Sequence, residues 1–310
     1  MPASLIRNLN RLKPMLRGGI LTMGNFDGVH LGHQQLLTKT VQIARHKGVH
    51  AQVLTFEPQP REFFSGRELT VPRLTKLREK FLQLTAFGID DVIILKFNQQ
   101  LADLSASDFL EQIKRQMAPQ HVIVGDDFRF GRGREGDYKL LKAFGEKSEF
   151  SVEVMPTFEM NGERVSSTQV RNALQRGDLA AATQLLGRPY AMMGKVSHGR
   201  KLGRALGCPT ANIHVNRRLT PVQGIYTVLV SGITAQPLPG VASVGTRPTI
   251  DGIATILEVH LLDFDGDLYG RHVQVEFCSK LRDEKRYDSL DLLKEQIAID
   301  VQQARDYFKK

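Results

Sequence analysis

Residues 22–33 read TMGNFDGVHLGH and close on two histidines, His30 and His33, with Leu31 and Gly32 between them. An apolar run at 20–23 precedes the stretch and helical periodicity begins near Leu31, so a strand should hand over to a helix at this point. The first turn of a helix carries unpaired N–H groups and a partial positive charge, which together stabilise an anion. Paired imidazoles there add donors that can follow charge developing on a phosphate. Gly24, Gly28 and Gly32 allow sharp turns and close approach to a ligand, and Asn25 and Asp27 lie among them.

Two stretches that follow carry compatible chemistry. Residues 125–137, GDDFRFGRGREGD, place Asp127, Phe128 and Phe130 beside glycines that could hold a ring and its phosphate through aromatic packing and backbone amides. The string 131–136 formally matches GxGxxG, but six residues separate it from the preceding strand candidate and it is arginine-rich, so it is no dinucleotide fingerprint. Ser166, Ser167 and Thr168 open a helical run with Arg171 one turn in. Hydroxyl residues at a helix start are ordinary caps. Three in a row followed by a guanidinium also suit a triphosphate.

A separate constellation lies further along. Gly199, Gly203 and Gly207 recur at every fourth position, with Arg200, Lys201 and Arg204 among them and Cys208-Pro209-Thr210-Ala211-Asn212 after them. Such spacing frees backbone amides to wrap phosphates, although no GK[ST] closes the stretch as in a Walker A loop. Thr210 and Asn212 alternate on one face of a short extended run, which aims a hydroxyl and an amide oxygen at one cation. Neutral oxygens suit Mg²⁺ that keeps waters and binds substrate phosphates. Glu258 sits among apolar residues in a strand-like run, an expensive place for an unpaired charge, so a partner or a task is expected for it. The DFDGD at 263–267 lacks the later glutamate of a calcium loop and reads as a hairpin turn.

These residues resemble two known families. GNFDGVHLGH, the pattern GxDFxFGxxxxGD at 125–137 and the SSTxxR of 166–171 are similar to the motifs of bacterial FAD synthetases, a branch of the HxGH nucleotidyltransferases. The GxxxGxxxGxPTAN of 199–212, SVGTRPT at 243–249 and LRDEKRYD at 281–288 resemble riboflavin kinases, with Ser243 where that family has asparagine and Tyr287 where it has phenylalanine. The resemblance implies a bifunctional prokaryotic enzyme. Its amino-terminal part would join FMN to the AMP portion of ATP and release pyrophosphate, with His30, His33 and Arg171 stabilising the transferring phosphates and no covalent enzyme intermediate. Its nucleotide contacts would come from Gly24, Asn25, Phe26, Asp27, Gly28, Ser166, Ser167 and Thr168, and its flavin contacts from Asp127, Phe128 and Phe130. The carboxyl-terminal part would phosphorylate riboflavin with Mg²⁺ and ATP. There Glu258 would face the ribityl hydroxyl, Thr210 and Asn212 the metal, Gly199, Lys201, Gly203 and Gly207 the nucleotide, and Arg282 and Glu284 the flavin.

The elements that must position these residues follow from periodicity. Strand candidates at 19–23, 51–56, 91–97, 121–124 and 151–155 alternate with helix candidates at 31–46, 75–87, 107–117 and 138–147. That alternation predicts a parallel sheet covered on both faces, with ligands beyond the carboxyl ends of its strands, a Rossmann-like arrangement. The stretch 58–72 is long for a connection and reads as a surface excursion or a lid. After 190 the strand candidates 226–230, 241–244, 255–262 and 272–277 follow one another without helices, predicting a small antiparallel barrel against which a helix at 290–308 packs. The expected domains are 1–187 and 188–310.

At 310 residues two domains are the prior expectation. The net charge of +9 suits anionic partners, nucleotides and nucleic acid alike, but aromatics are 7% and tryptophan is absent, which leaves no obvious base-stacking platform. The resemblance implies ATP, riboflavin, FMN and FAD as partners, with nucleic acid the minority alternative and oligomeric state left open, a homo-oligomer included. Two cysteines are too few for a disulfide framework, and arginine and lysine interrupt the amino-terminal apolar stretches. A cytoplasmic protein without a membrane span is expected.

Overall fold

The structure, a computed structural model, describes residues 3–66, 71–197, 208–249 and 252–309. Its contacts divide the chain into two units, one of residues 1–70 with 75–167, the other of residues 71–74 with 168–310.

The first unit runs β1 (Ser4–Arg7), β2 (Ile20–Met23), α1 (Leu31–Lys47), β3 (Ala51–Glu57), α2 (Pro60–Ser65), α3 (Leu77–Ala86), β4 (Asp91–Lys96), α4 (Gln99–Ala102), α5 (Ala106–Met117), β5 (His121–Gly125), β6 (Arg129–Phe130), β7 (Gly136–Asp137), α6 (Tyr138–Lys147) and β8 (Ser151–Met155). A short hairpin, β9 (Glu159–Met160) and β10 (Glu163–Arg164), follows. Six strands form a parallel sheet in the order β1-β4-β3-β2-β5-β8. Successive residues feed opposite faces. Leu21, Leu54, Ile93, Val122 and Val124 join α5 and α6 on one side, while Ile20, Val53, Val92, Ile94 and Ile123 join α1 and α3 on the other. Burial on both faces is why these strands read as continuous apolar runs.

From β2 the chain adds β3 and then β4 on one side, and β5 returns to the other flank of β2. The order therefore reverses at β2 and β5, and the loops after these two strands, residues 24–30 and 126–137, are where an open α/β sheet takes its ligand. The stretch 58–72 contains α2, started by Pro60 with Glu62 closing a capping box on Gln59. β1 was not anticipated. It is a short edge strand of mixed exposure, below the signal that periodicity detects.

The second unit contains α7 (Ser167–Gln175), whose first residue falls in the first unit, and α8 (Leu179–Leu186). β11 (Ala191–Ser197), β12 (Ala211–His214), β13 (Gly224–Ser231), β14 (Leu238–Thr249), β15 (Gly252–Leu261) and β16 (His272–Arg282) then close into a barrel in the order β11-β12-β15-β14-β13-β16. Val170, Ala173, Leu174, Leu179, Ala182 and Leu186 share one core with the barrel interior, so both helices pack as part of this unit. The carboxyl-terminal helix α9 (Leu290–Phe308), capped by Ser289, lies on β13 and β14. Among the described residues no helix is long and apolar enough to cross a membrane.

Candidate active sites

The first candidate site is the β2–α1 loop. Four consecutive buried residues of β2 carry the chain into the sheet centre, and α1 leaves from His30 at its N-cap. No side chain caps this helix start, whereas Ser105, Asp137, Asp178 and Ser289 cap α5, α6, α8 and α9. The His30 and His33 rings stack with centroids 3.7 Å apart and planes 21° apart, and Phe26 backs His33 at 5.2 Å. The Nδ1 of His33 is enclosed and has no hydrogen-bond partner among the described residues. Burial, then the His30 ring and Lys80, push its pKa well below the usual histidine value, so His33 is neutral at physiological pH.

The glycines divide in their roles. Gly28 has φ +84°, where only glycine is at ease, while a Cβ on Gly32 would make ordinary contacts of 3.4 Å to the His30 ring and Phe158. Gly32 therefore opens space beside the rings and is not forced by backbone conformation. Phe26 at φ +46° and Val29 at +44° are unusual for residues with side chains, the second especially because it is β-branched.

Asp27, expected against the nucleotide, is 3% exposed and accepts hydrogen bonds from the Thr75 amide and hydroxyl at 3.0 and 3.2 Å. In this arrangement it anchors the loop. Asn25 is the loop's exposed residue, and Ser167 at the start of α7 donates to the Asp27 carbonyl at 2.8 Å. Ser166 is half-buried. Thr168, exposed, and Arg171, buried, belong to the second unit; there the Arg171 Nε donates to the Pro72 carbonyl at 2.7 Å.

The loop after β5 behaves as several separate devices. Asp126 accepts from the Thr157 hydroxyl and amide at 2.7 and 3.0 Å, and Asp127 is exposed in an ion pair with Arg164 of the β9–β10 hairpin. Phe128, half-buried, stacks at 5.5 Å on Phe130, which is 6% exposed and packs on Phe109 in the core. Of the two rings, Phe128 has a face to offer a ligand and Phe130 supports it. Gly131 has φ +76° and a Cβ there would lie 2.7 Å from the Ala106 backbone, so this motif glycine serves packing. Asp137 caps α6 by accepting from the Lys139 and Leu140 amides.

The second candidate site lies on the barrel. Asn212 of β12 pairs with Glu258 of β15, which pairs with Ser243 of β14. Paired residues share a sheet face. The neighbouring rows, Ala211–Val259–Ala242 and Ile213–Leu257–Val244, point into the core, so Asn212, Glu258 and Ser243 stand together on the outer face. Glu284, exposed, accepts from the Ser243 hydroxyl at 3.4 Å, and a Cβ on Gly245 would run into its carboxylate. Burial pushes the Glu258 carboxyl above the usual range, and the Glu284 carboxylate acts in the same direction. Arg282 is held by Asp300 of α9 through two hydrogen bonds of 2.9 and 2.7 Å and sits 5.9 Å over the Tyr287 ring. Thr210 is exposed immediately before β12. Gly199, Lys201, Gly203 and Gly207 lie outside the described residues.

Beside Thr210 opens a cavity of about 430 Å³ whose walls include Val196, Val259, Leu261, Phe264, Leu268 and Tyr269. The turn at 263–267 thus also forms one side of a largely apolar pocket, a function that its hairpin composition did not disclose. The signal available in the sequence was three large apolar residues, Phe264 within the turn and Leu268 and Tyr269 directly after it, where a turn needs none. Thr75 and Lys80 escaped notice similarly. Lys80 lies in phase with Leu77 and Leu84 on α3, a charge within an apolar stripe.

Comparison with known proteins matches residues 12–169 to the FAD synthetase family and 186–308 to the riboflavin kinase family. The chain is 47% identical over 306 residues to the bifunctional riboflavin kinase/FMN adenylyltransferase of Escherichia coli K12, covering 98% of this chain and 97% of that one. It is 48% identical over 303 residues to the protein of the same name from Pseudomonas fluorescens, covering 97% and 96%. A crystal structure of a macrolide-efflux protein from Streptococcus pneumoniae superposes with a TM-score of 0.82 at 30% identity, over 98% of this chain and 99% of that one.

Proposed function

This chain belongs to the family of bifunctional riboflavin kinase/FMN adenylyltransferases, with its FAD synthetase part first and its riboflavin kinase part second, and from that premise we propose which residues carry each reaction. Residues 188–310 convert riboflavin and ATP to FMN and ADP. Residues 1–187 convert FMN and a second ATP to FAD and pyrophosphate.

In the kinase, Glu258 takes the proton of the ribityl hydroxyl as its oxygen attacks the γ-phosphorus. The row Asn212–Glu258–Ser243 is the observation that carries this reading, because register alone brings a basic carboxylate beside a neutral oxygen ligand. Thr210 and Asn212 would hold Mg²⁺ brought in with the nucleotide. Among the described residues no group of three or more histidines, cysteines or carboxylates could cage an ion unaided, and two uncharged oxygens fit one that is completed by phosphates and water. Bound there, the ion would supply charge neutralisation for the transferring phosphoryl group. The apolar cavity next to Thr210 suits the adenine base, and Gly199, Lys201, Gly203 and Gly207 are assigned to the polyphosphate from the motif. Arg282, fixed by Asp300, and Glu284 border the flavin.

In the adenylyltransferase, an FMN phosphate oxygen attacks the α-phosphorus of ATP, a new P–O bond forms, and the bond to the pyrophosphate oxygen breaks. A phosphomonoester loses its second proton near pH 6, so the nucleophile is already ionised and no general base is required (about 6 is the second pKa). His30 and His33 donate to the transferring phosphates, with Gly24, Asn25, Phe26, Gly28, Ser166 and Ser167 around the nucleotide, and Asp127 and Phe128 toward the flavin; Thr168 is assigned to the nucleotide from the motif. Arg171 is assigned to charge neutralisation from the SSTxxR motif. Cytoplasmic ATP and flavin pools suit these substrates.

Incubating the protein with riboflavin, ATP and Mg²⁺ and separating the flavins by chromatography should show FMN and then FAD. Absence of either product sinks the corresponding half of the assignment. The Glu258–Glu284 pair adds a pH prediction. Removing the Glu284 charge lowers the Glu258 pKa, so the base stays ionised further into acid. Glu284→Gln should therefore move the acid limb of the kinase kcat profile to lower pH, and an upward shift would contradict the base assignment.

A further inference from the structure

The β2–α1 loop is held by side chains outside its motif. Lys80, 1% exposed on α3, donates to the Asn25 carbonyl at 2.5 Å, and the Thr55 hydroxyl reaches the same oxygen at 3.4 Å. Ser167 donates to the Asp27 carbonyl at 2.8 Å and Gln34 Nε2 to the Val29 carbonyl at 2.9 Å. Thr75 works in both directions. Its hydroxyl accepts from the Gly28 N–H at 3.0 Å and donates to the Asp27 carboxylate at 3.2 Å, while its own N–H reaches the same carboxylate oxygen at 3.0 Å.

Three alternate carbonyls, Asn25, Asp27 and Val29, are thus engaged by protein donors. An unengaged carbonyl oxygen aimed at a polyphosphate would repel it. The same contacts hold Phe26, Gly28 and Val29 at positive φ, a costly backbone that persists only where its surroundings over-determine it. Resting on the assignment of this loop to adenylyl transfer, the geometry points to Thr75 and Lys80 as positioning residues for that reaction. Lys80 draws the Asn25 carbonyl onto protein, and Thr75 ties down the Gly28 N–H and the Asp27 carboxylate; together they fix the loop that presents the stacked histidines at the start of α1. Neither residue belongs to the loop motif.

Thr75→Val keeps the side-chain shape and removes both hydroxyl bonds. In the full chain it should lower kcat for FAD formation from FMN by about 10- to 100-fold, the cost of a loop displaced by up to about 1 Å. Thr75→Ser restores the hydroxyl and should recover most of that loss. Lys80→Met, which keeps the apolar stem, tests the same point from α3 and should also depress kcat. Riboflavin phosphorylation, measured in the same preparations, should stay at the parental rate and reports an intact chain. Thr75→Val with parental FAD formation overturns the inference, as does a serine variant no better than the valine one. If either substitution abolishes kinase activity as well, the role is structural and the inference fails. A parent chain that makes no FAD, or a His33→Ala variant that makes it at the parental rate, instead overturns the site assignment, and this inference falls with it.

Discussion

Glu258→Gln should cut riboflavin phosphorylation by about 10²- to 10⁴-fold, the usual range for a positioned general base. The substitution keeps the side chain's size and its place opposite Asn212 and Ser243, so what is lost is the proton acceptor. The size of the loss is itself informative. Phosphoryl transfer has a loose transition state in which much of the catalysis is positioning and charge neutralisation, so a late proton transfer would put the effect near the lower end of that range. FAD formation from supplied FMN should be unaffected, because every residue assigned to the adenylyl reaction except Thr168 and Arg171 lies in the other compact unit. Chromatography of the two half-reactions separates the outcomes. Parental FMN formation would remove Glu258 from the mechanism, and loss of both activities in a folded variant would remove the independence of the two sites.

The reciprocal result is expected for the histidines. His33→Ala should lower kcat for FAD formation by about 10²- to 10³-fold, as loss of one preorganised donor to a developing oxyanion does elsewhere, and leave riboflavin phosphorylation intact. Two imidazoles stacked at 3.7 Å cannot both be imidazolium cations without strong repulsion, though each keeps one N–H to donate when neutral. Burial, the His30 ring and Lys80 hold the His33 pKa well below the usual histidine value, so the contribution proposed for it is a hydrogen bond to the phosphates and not a net positive charge. Two consequences are measurable by steady-state kinetics. His33→Asn, which keeps a donor, should retain more activity than His33→Ala, and FAD formation by the parent should show no inflection from His33 across neutral pH. An alanine variant with parental kcat would take His33 out of the transition state.

The motifs themselves were legible in the chain as written. A glycine, a histidine pair or a PTAN string is local, and so is the change from helix-separated apolar runs to successive strands that foretold a parallel sheet followed by a barrel. Boundaries were nearly right for the same reason: α6, β8 and α9 begin and end where side-chain periodicity places them. What each motif residue does was a different matter. Asp27 and Phe130 lie in conspicuous motifs, yet one anchors a loop to Thr75 and the other fills a core beside Phe109. Thr75 and Lys80 lie in no motif assigned from the sequence, yet Lys80 on α3 and Thr75 just before that helix grip the loop from some fifty positions away.

Sequence by itself determined the two-part organisation, the element types and the chemistry on offer, because propensity, spacing and residue type are properties of neighbours in the chain. Only the tertiary structure decided that Asn212, Glu258 and Ser243 form one outward row, that β2 and β5 flank the reversal in strand order, and that residues 71–74 pack with the second unit. Those facts depend on which distant strands pair, in what register, and on which apolar faces find each other. They are set by burial summed over the whole fold, and no window of consecutive residues contains it.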